Sequence, residues 1–413
     1  MSTPAPKLSA KQVQKLARAR MGRTGETYTQ ARKAVLAGQA EPSAAPVEAE
    51  HDDAAQLPEY PAPESVVQYD AALWQRVLTQ AGVLDPATGQ PFTQAMLAGL
   101  AGGIGFMVFT FDYESGATAT VVTRAHPEPY VETLIERLPV PVRQAHTTSA
   151  KAAAARLDEG LEAGRAVVVR VTETLLPWVK STAPDTEAES VDLAVLGEEE
   201  KFLIDDGSGA LRELRRGQLA AARGRRKKDR HWQAWVPEAL TPEPGAVNAA
   251  IAEAVRATSG RLLGTSELTG IPDHFAKNFG VAGLRTWAER LVGTGKRDWP
   301  ALFADPEAYA SALNMVNGFF AAGRHSGQGG FRGLYADFLA EAAPREGLAP
   351  LADAVDAYRD LADQWEGLIA LLAAEYDDAA SHRAQLAESV SALADAEQAA
   401  AEILAGAADR LEP

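Results

Sequence analysis

Hydrophobic positions along this chain follow two periods, and the change from one to the other is sharpest over residues 93–111. There Leu97, Leu100 and Ile104 fall at helical spacing, Gly102, Gly103 and Gly105 interrupt it, and an apolar run from Phe106 to Phe111 follows. The pattern predicts a short helix, a glycine turn and a buried strand in immediate succession. Upstream, residues 71–81 form an amphipathic helix with Ala72, Leu73, Val77 and Leu78 inward, and Asp85-Pro86-Ala87-Thr88-Gly89 marks a turn. Downstream, β-branched or apolar runs predict strands over 118–123, 166–171, 190–196, 201–205 and 232–236, with Glu198 to Glu200 turning the 190–205 hairpin. Helices are expected over 130–137, 149–163 and 215–223. From residue 246 the pattern is helical nearly to the end, punctuated at 271–272, 296–300 and 326–330. Long Ala- and Leu-rich helices fill 351–411, with one break at 377–381. The fold class is therefore α+β, followed by a mostly α-helical C-terminal domain.

The N-terminal segment differs in kind. Residues 1–37 read as a basic helical hairpin broken at Gly22 and Gly25, either a docking or nucleic-acid element or a solvated appendage. Residues 38–63, rich in Ala, Pro, Glu and Asp, read as a disordered acidic linker, too polar to offset the entropy of ordering. Globular domains are expected over 64–237 and 245–413.

Composition narrows the function. With 413 residues and a formal net charge of -16, the chain has room for two cores and is repelled by nucleic acid and anionic membrane. The first residues lack the apolar core of a signal peptide and no run approaches a membrane span, so a cytoplasmic location without membrane contact is expected. Abundant Ala, Gly and Arg suggests a bacterial source. The absence of cysteine excludes disulfides, thiolate metal sites and a thiol nucleophile. No metal-binding pattern such as HExxH occurs, and neither a metal nor a cofactor is expected. The glycine cluster has the helix before it and the strand after it, the reverse of a phosphate-cradling loop, which favours a packing turn. A dense basic run over 223–230 is either a site for phosphate or an acidic carrier partner, or a solvated loop. The apolar stripe of 351–411 suits an intramolecular bundle face or a dimer zipper, so a homo-oligomer stays open.

Ala72-Leu73, Met96-Leu97 and Gly99-Leu-Ala-Gly-Gly-Ile-Gly-Phe106 stand in the order found in the N-terminal domain of the butirosin biosynthesis protein H family, which this region resembles. Ser326-Gly-Gln-Gly-Gly-Phe-Arg-Gly-Leu-Tyr-Ala-Asp-Phe-Leu339 is similar to the helical domain of unknown function that commonly follows it. The resemblance implies a papain-like fold linked to acyl transfer in a bacterial natural-product pathway, with an acyl carrier protein among the possible partners.

Such chemistry needs a thiolate at a helix N-terminus, an imidazole to move the proton and a carboxylate to orient it. By the resemblance, the nucleophile position falls at Gln68, with Val67 in place of a preceding histidine, and the imidazole position at Val191. Asp205 or Asp206 stands for the third member. Two of three groups are missing. The seven histidines fall outside the expected catalytic strand, and Ser65 is the alternative nucleophile. Gly102, Gly103, Arg332 and Tyr335 are candidate ligand-binding residues, although the aromatic residues suit core packing equally. The expected function is a catalytically degenerate, acyltransferase-like binding or scaffolding protein, a pseudoenzyme holding a protein partner or small-molecule ligand. The alternative is an active acyltransferase or amide hydrolase using a relocated serine.

Overall fold

A computed structural model describes residues 33, 59–62, 66–114, 116–180, 190–197, 201–268 and 270–411. The basic hairpin apart from Lys33, most of the acidic linker, Ser65 and the turn at 198–200 lie outside the described residues. Residues 1–56 and 57–413 separate into two units, and the following concerns the second.

Helix α1 (Tyr69–Gln80) begins where Gln68 takes extended geometry and its side-chain oxygen accepts the Ala71 N–H, satisfying one of the helix's unpaired donors. Helix α2 (Gln94–Leu100) is capped in the same way by Thr93, which accepts from Met96. Gly102 and Gly103 then take φ of 108° and 62°, and strand β1 (Ile104–Tyr113) follows. It pairs antiparallel with β2 (Gly116–Arg124) in a two-stranded ribbon separate from the main sheet.

The main sheet has six strands in the order β3-β8-β4-β5-β6-β7, all neighbours antiparallel. These are β3 (Arg143–Ala145), β4 (Val167–Thr172), β5 (Ser190–Leu196), β6 (Lys201–Asp205), β7 (Leu211–Arg215) and β8 (Gln233–Trp235). Helix α3 (Tyr130–Arg137) precedes β3, α4 (Ala150–Glu162) precedes β4, and α5 (Arg216–Gly224) follows β7. The period-2 pleat sorts the side chains of the sheet onto two faces. Val167, Val169 and Val171 of β4 and Val191, Leu193 and Val195 of β5 pack against α4 and α5 through Leu157, Leu161, Leu219 and Ala222. Val168 and Ala194 face the other way, into the core that holds α1.

The helical region comprises α6 (Pro244–Leu263), α7 (Gly280–Val292), α8 (Trp299–Leu302), α9 (Pro306–Ala322), α10 (Arg332–Ala342), α11 (Ala352–Leu372) and α12 (Ala379–Ala408). Its buried Trp287, Trp365, Phe338 and Tyr358 belong to the same continuous core as Leu73, Leu97 and Phe106. The glycine stretch makes that junction close. A Cβ on Gly99 would lie 2.2 Å from the Phe338 ring, and one on Gly103 would lie 2.4 Å from the Tyr335 ring.

Two arginines of the helical region grip the same stretch. Arg261 donates to the carbonyls of Gly102 (2.9 Å) and Ile104 (3.0 Å) and pairs with Glu128 at 3.0 Å. Arg332, fully buried, donates to Gly105 O (2.9 Å), Thr123 O (3.0 Å) and Gly330 O (2.6 Å), pairs with Glu397 at 2.6 Å, and lies over the Trp365 ring. One guanidinium thus ties β1, β2, the turn before α10 and α12 together.

Replacing Gly103 with Ala should lower stability by at least about 2 kcal/mol, combining a clash with positive-φ strain. Gly89→Ala shares the positive φ of 67° but meets nothing within 4 Å, and should cost about 1 kcal/mol. Urea unfolding of both variants separates the two contributions. Arg332→Met strands a buried carboxylate and should cost roughly 3–5 kcal/mol, while the Arg332→Met/Glu397→Leu double variant should recover much of that.

Candidate functional site

A cleft of about 460 Å³ opens where the main sheet, the ribbon and the helical region meet. Asp70 comes from the first turn of α1, Arg124 from the end of β2, Arg170 from β4 and Asp192 from β5. Arg324 and His325 enter from the segment between α9 and α10, and Arg226 and Lys228 from the basic run after α5.

The charges fall into groups. Asp70 is shared by Arg124 (2.6 Å) and Arg324 (3.7 Å), and the two guanidiniums also lie over the rings of Tyr130 and Tyr69. Burial raises the Asp70 pKa, but the positive field of Arg124, Arg324 and His325 outweighs it and holds the carboxyl below its ordinary value. Opposite, Arg170 makes a two-pronged bond to Asp192 (2.7 and 2.9 Å), reaches Glu132 at 2.7 Å and lies over the Trp232 ring. There burial wins over Arg170, and with Asp70 and Glu132 nearby the Asp192 carboxyl is raised. At the rim, Ser190 donates its hydroxyl to Asp229, beside Arg226 and Lys228. The cleft thus brings together a group with excess positive charge, Arg124 and Arg324 with Asp70, and one with excess negative charge, Asp192 and Glu132 with Arg170.

The residues expected at the site are distributed more widely. Gln68 is 1 % exposed, and besides capping α1 at 2.6 Å its amide donates to Arg324 O at 3.1 Å. It lines a small recess with Gly103 and Tyr335, which shares Arg124 and Tyr130 with the cleft. Val191 borders the cleft, yet its side chain belongs to the apolar core on the opposite face of the sheet. Neighbouring Asp192 turns into the cleft instead, because adjacent strand residues point to opposite faces. Asp205 lies on the same sheet face as Asp192 but outside the cleft lining. It is fully buried, bound by Arg76 through two bonds (2.5 and 2.9 Å) and by the Tyr60 hydroxyl at 2.6 Å. Gln68, Val191 and Asp205 therefore do not present their side chains together to the cleft. Asp206 receives the Ser208 N–H at 3.0 Å and forms part of a turn.

Gly102 and Gly103 provide close packing against Arg261 and Tyr335. The guanidinium of Arg332 is committed to carbonyls and Glu397, while Tyr335 lines the recess and packs on Phe338 and Tyr358. His325, which stands outside the expected catalytic strand, nevertheless lines the cleft. Its carbonyl receives the N–H groups of Thr123 and Arg124 at 3.1 Å each, which fixes it at the cleft beside Asp70. Its position directly before the Ser326-Gly turn was the available signal.

Among the described residues, no group of three or more His, Asp or Glu is placed to hold a metal, and no helix is long and apolar enough to cross a membrane. A comparison with curated proteins finds no match. Residues 73–207 match the family model described as butirosin biosynthesis protein H, N-terminal, and residues 213–404 match a domain of unknown function, DUF4872. The chain thus carries the N-terminal domain of the butirosin biosynthesis protein H family, joined to a DUF4872 domain.

Proposed function

We propose that this protein is a non-catalytic relative of the acyl-handling family, one that holds a small-molecule ligand or protein partner at the charged cleft. The observation that carries this reading is the state of Gln68. At the helix N-terminus, where a nucleophile would stand, an uncharged amide is spent on capping α1 and on Arg324 O. An amide has neither the basicity nor the lone-pair reactivity of a thiolate. The retained Asp205 has become the counter-ion of buried Arg76, so its charge stabilises the body rather than orienting an imidazole.

A second reading, an acyltransferase or amide hydrolase with a relocated serine, gains support from Ser190 and His325, both at the cleft, with Asp70 in the field of His325. Against it, the Ser190 hydroxyl donates to the carboxylate of Asp229 and not to an imidazole. A carrier protein remains a candidate partner under either reading.

Incubation with acyl thioesters followed by intact-mass measurement separates the two. The expected result is no covalent adduct in the wild type. An acyl adduct that disappears in Ser190→Ala or Ser65→Ala would establish the enzyme reading. Asp205→Asn should lower stability by roughly 3–5 kcal/mol in denaturant unfolding, because it strands a buried arginine. Unchanged stability would contradict its assignment as a structural counter-ion.

A further inference from the structure

Of the five buried arginines among the described residues, Arg76, Arg261, Arg332 and Arg345 each face a carboxylate. Arg223, in the last turn of α5, is the exception. It is 5 % exposed, and its Nη2 donates to His231 O (3.1 Å) and the Gln233 side-chain oxygen (2.7 Å), both neutral acceptors. Its Nε has no partner at all. Burial alone pulls the guanidinium down to about 10, with no opposite charge to compensate. A buried cation of this kind is costly unless something anionic meets it.

Arg223 lines a groove between α4 and α5 that encloses about 50 Å³. The rest of the lining is mainly apolar: Ala153, Ala154 and Leu157 on α4, Leu219 and Ala220 on α5, and Phe202 beneath. The other cations are occupied or silent. Arg216 lies over the Phe202 ring and pairs with Asp158 at 2.7 Å, while burial and the nearby Arg223 hold the His231 imidazole below its ordinary value. The groove is on the sheet face that packs α4 and α5, opposite Arg170 and Asp192, and is therefore distinct from the charged cleft.

A water needs about 10–15 Å³ of such space, so the enclosed volume holds a two-oxygen headgroup and its first carbon, with the remaining chain lying over the alanines. We propose that this groove binds a short-chain carboxylic acid, its carboxylate meeting Arg223 and its stem packing along α4. A dry, apolar approach strengthens the charge-assisted bond, and the bound carboxylate would supply the counter-ion that Arg223 lacks. The inference is independent of the function proposed for the cleft.

Calorimetric titration of the full chain with hexanoate, hexanol and hexylammonium at fixed ionic strength is the test. Hexanoate should bind, with hexanol and hexylammonium at least about tenfold weaker, as expected for one hydrogen bond to a charged group. Ala154→Trp fills the groove from its solvent side and leaves Arg223 in place, and it should abolish hexanoate binding with the thermal midpoint unchanged. Arg223→Gln should weaken hexanoate at least about tenfold. No binding of hexanoate, equal binding of hexanol, or undiminished binding in Ala154→Trp would overturn the proposal, even if Arg223→Gln fails to fold.

Discussion

The structure depends on two buried guanidiniums meeting one run of carbonyls. Arg261 and Arg332 reach from the helical region to the backbone of residues 102–105, where three glycines around Ile104 let the donors come within 3.0 Å of the carbonyl oxygens. Each guanidinium also meets a carboxylate, so neither charge is left uncompensated in the core. A side chain at Gly103 would collide with Tyr335, and one at Gly105 would lie 2.9 Å from the Arg124 carbonyl. The glycine stretch is therefore a docking surface for the protein's own second half.

The cleft follows from that arrangement. Arg332 holds Thr123, and the carbonyl of His325 receives the N–H groups of Thr123 and Arg124, so the end of β2 is clamped from two sides. Arg124 and Arg324, one from each half of the chain, then converge on Asp70. Cations and carboxylates from both halves are interleaved there, which suits a site for recognising charge. The reactive geometry of an acyl-transferring site needs a nucleophile and base in contact. Here the helix terminus and the neighbouring strand instead offer Gln68 and Asp192, each already bonded to other groups.

Much of the fold was legible in the sequence because periodicity reports burial. The strand bounds Ser190–Leu196 and Lys201–Asp205 and the helix Tyr130–Arg137 match the pattern, since their faces are sorted cleanly. The strands Arg143–Ala145 and Leu211–Arg215 were not anticipated. The first is three residues long, and the second carries charge at Arg212, Glu213 and Arg215 with only Leu214 buried. The site was less legible, for reasons of register and distance. A one-residue step along β5 exchanges Val191 for Asp192 at the cleft, and spacing relative to a motif does not fix that step. His325 joins Asp70 from 255 positions away, a proximity only the tertiary fold creates. Arg332 stood out in sequence, but its buried, fully bonded state depends on Glu397 and Trp365, which no local pattern links to it.

The described residues between 66 and 411 should behave as one cooperative body, with the arginine–carbonyl contacts as its seam. Native-state hydrogen exchange tests this directly. The innermost amides of β1, β5 and α12 should exchange only through global unfolding, with the same free energy and the same denaturant dependence. Exchange of the β5 amides through an opening that leaves α12 protected, or the reverse, would show two independently stable domains and contradict the account.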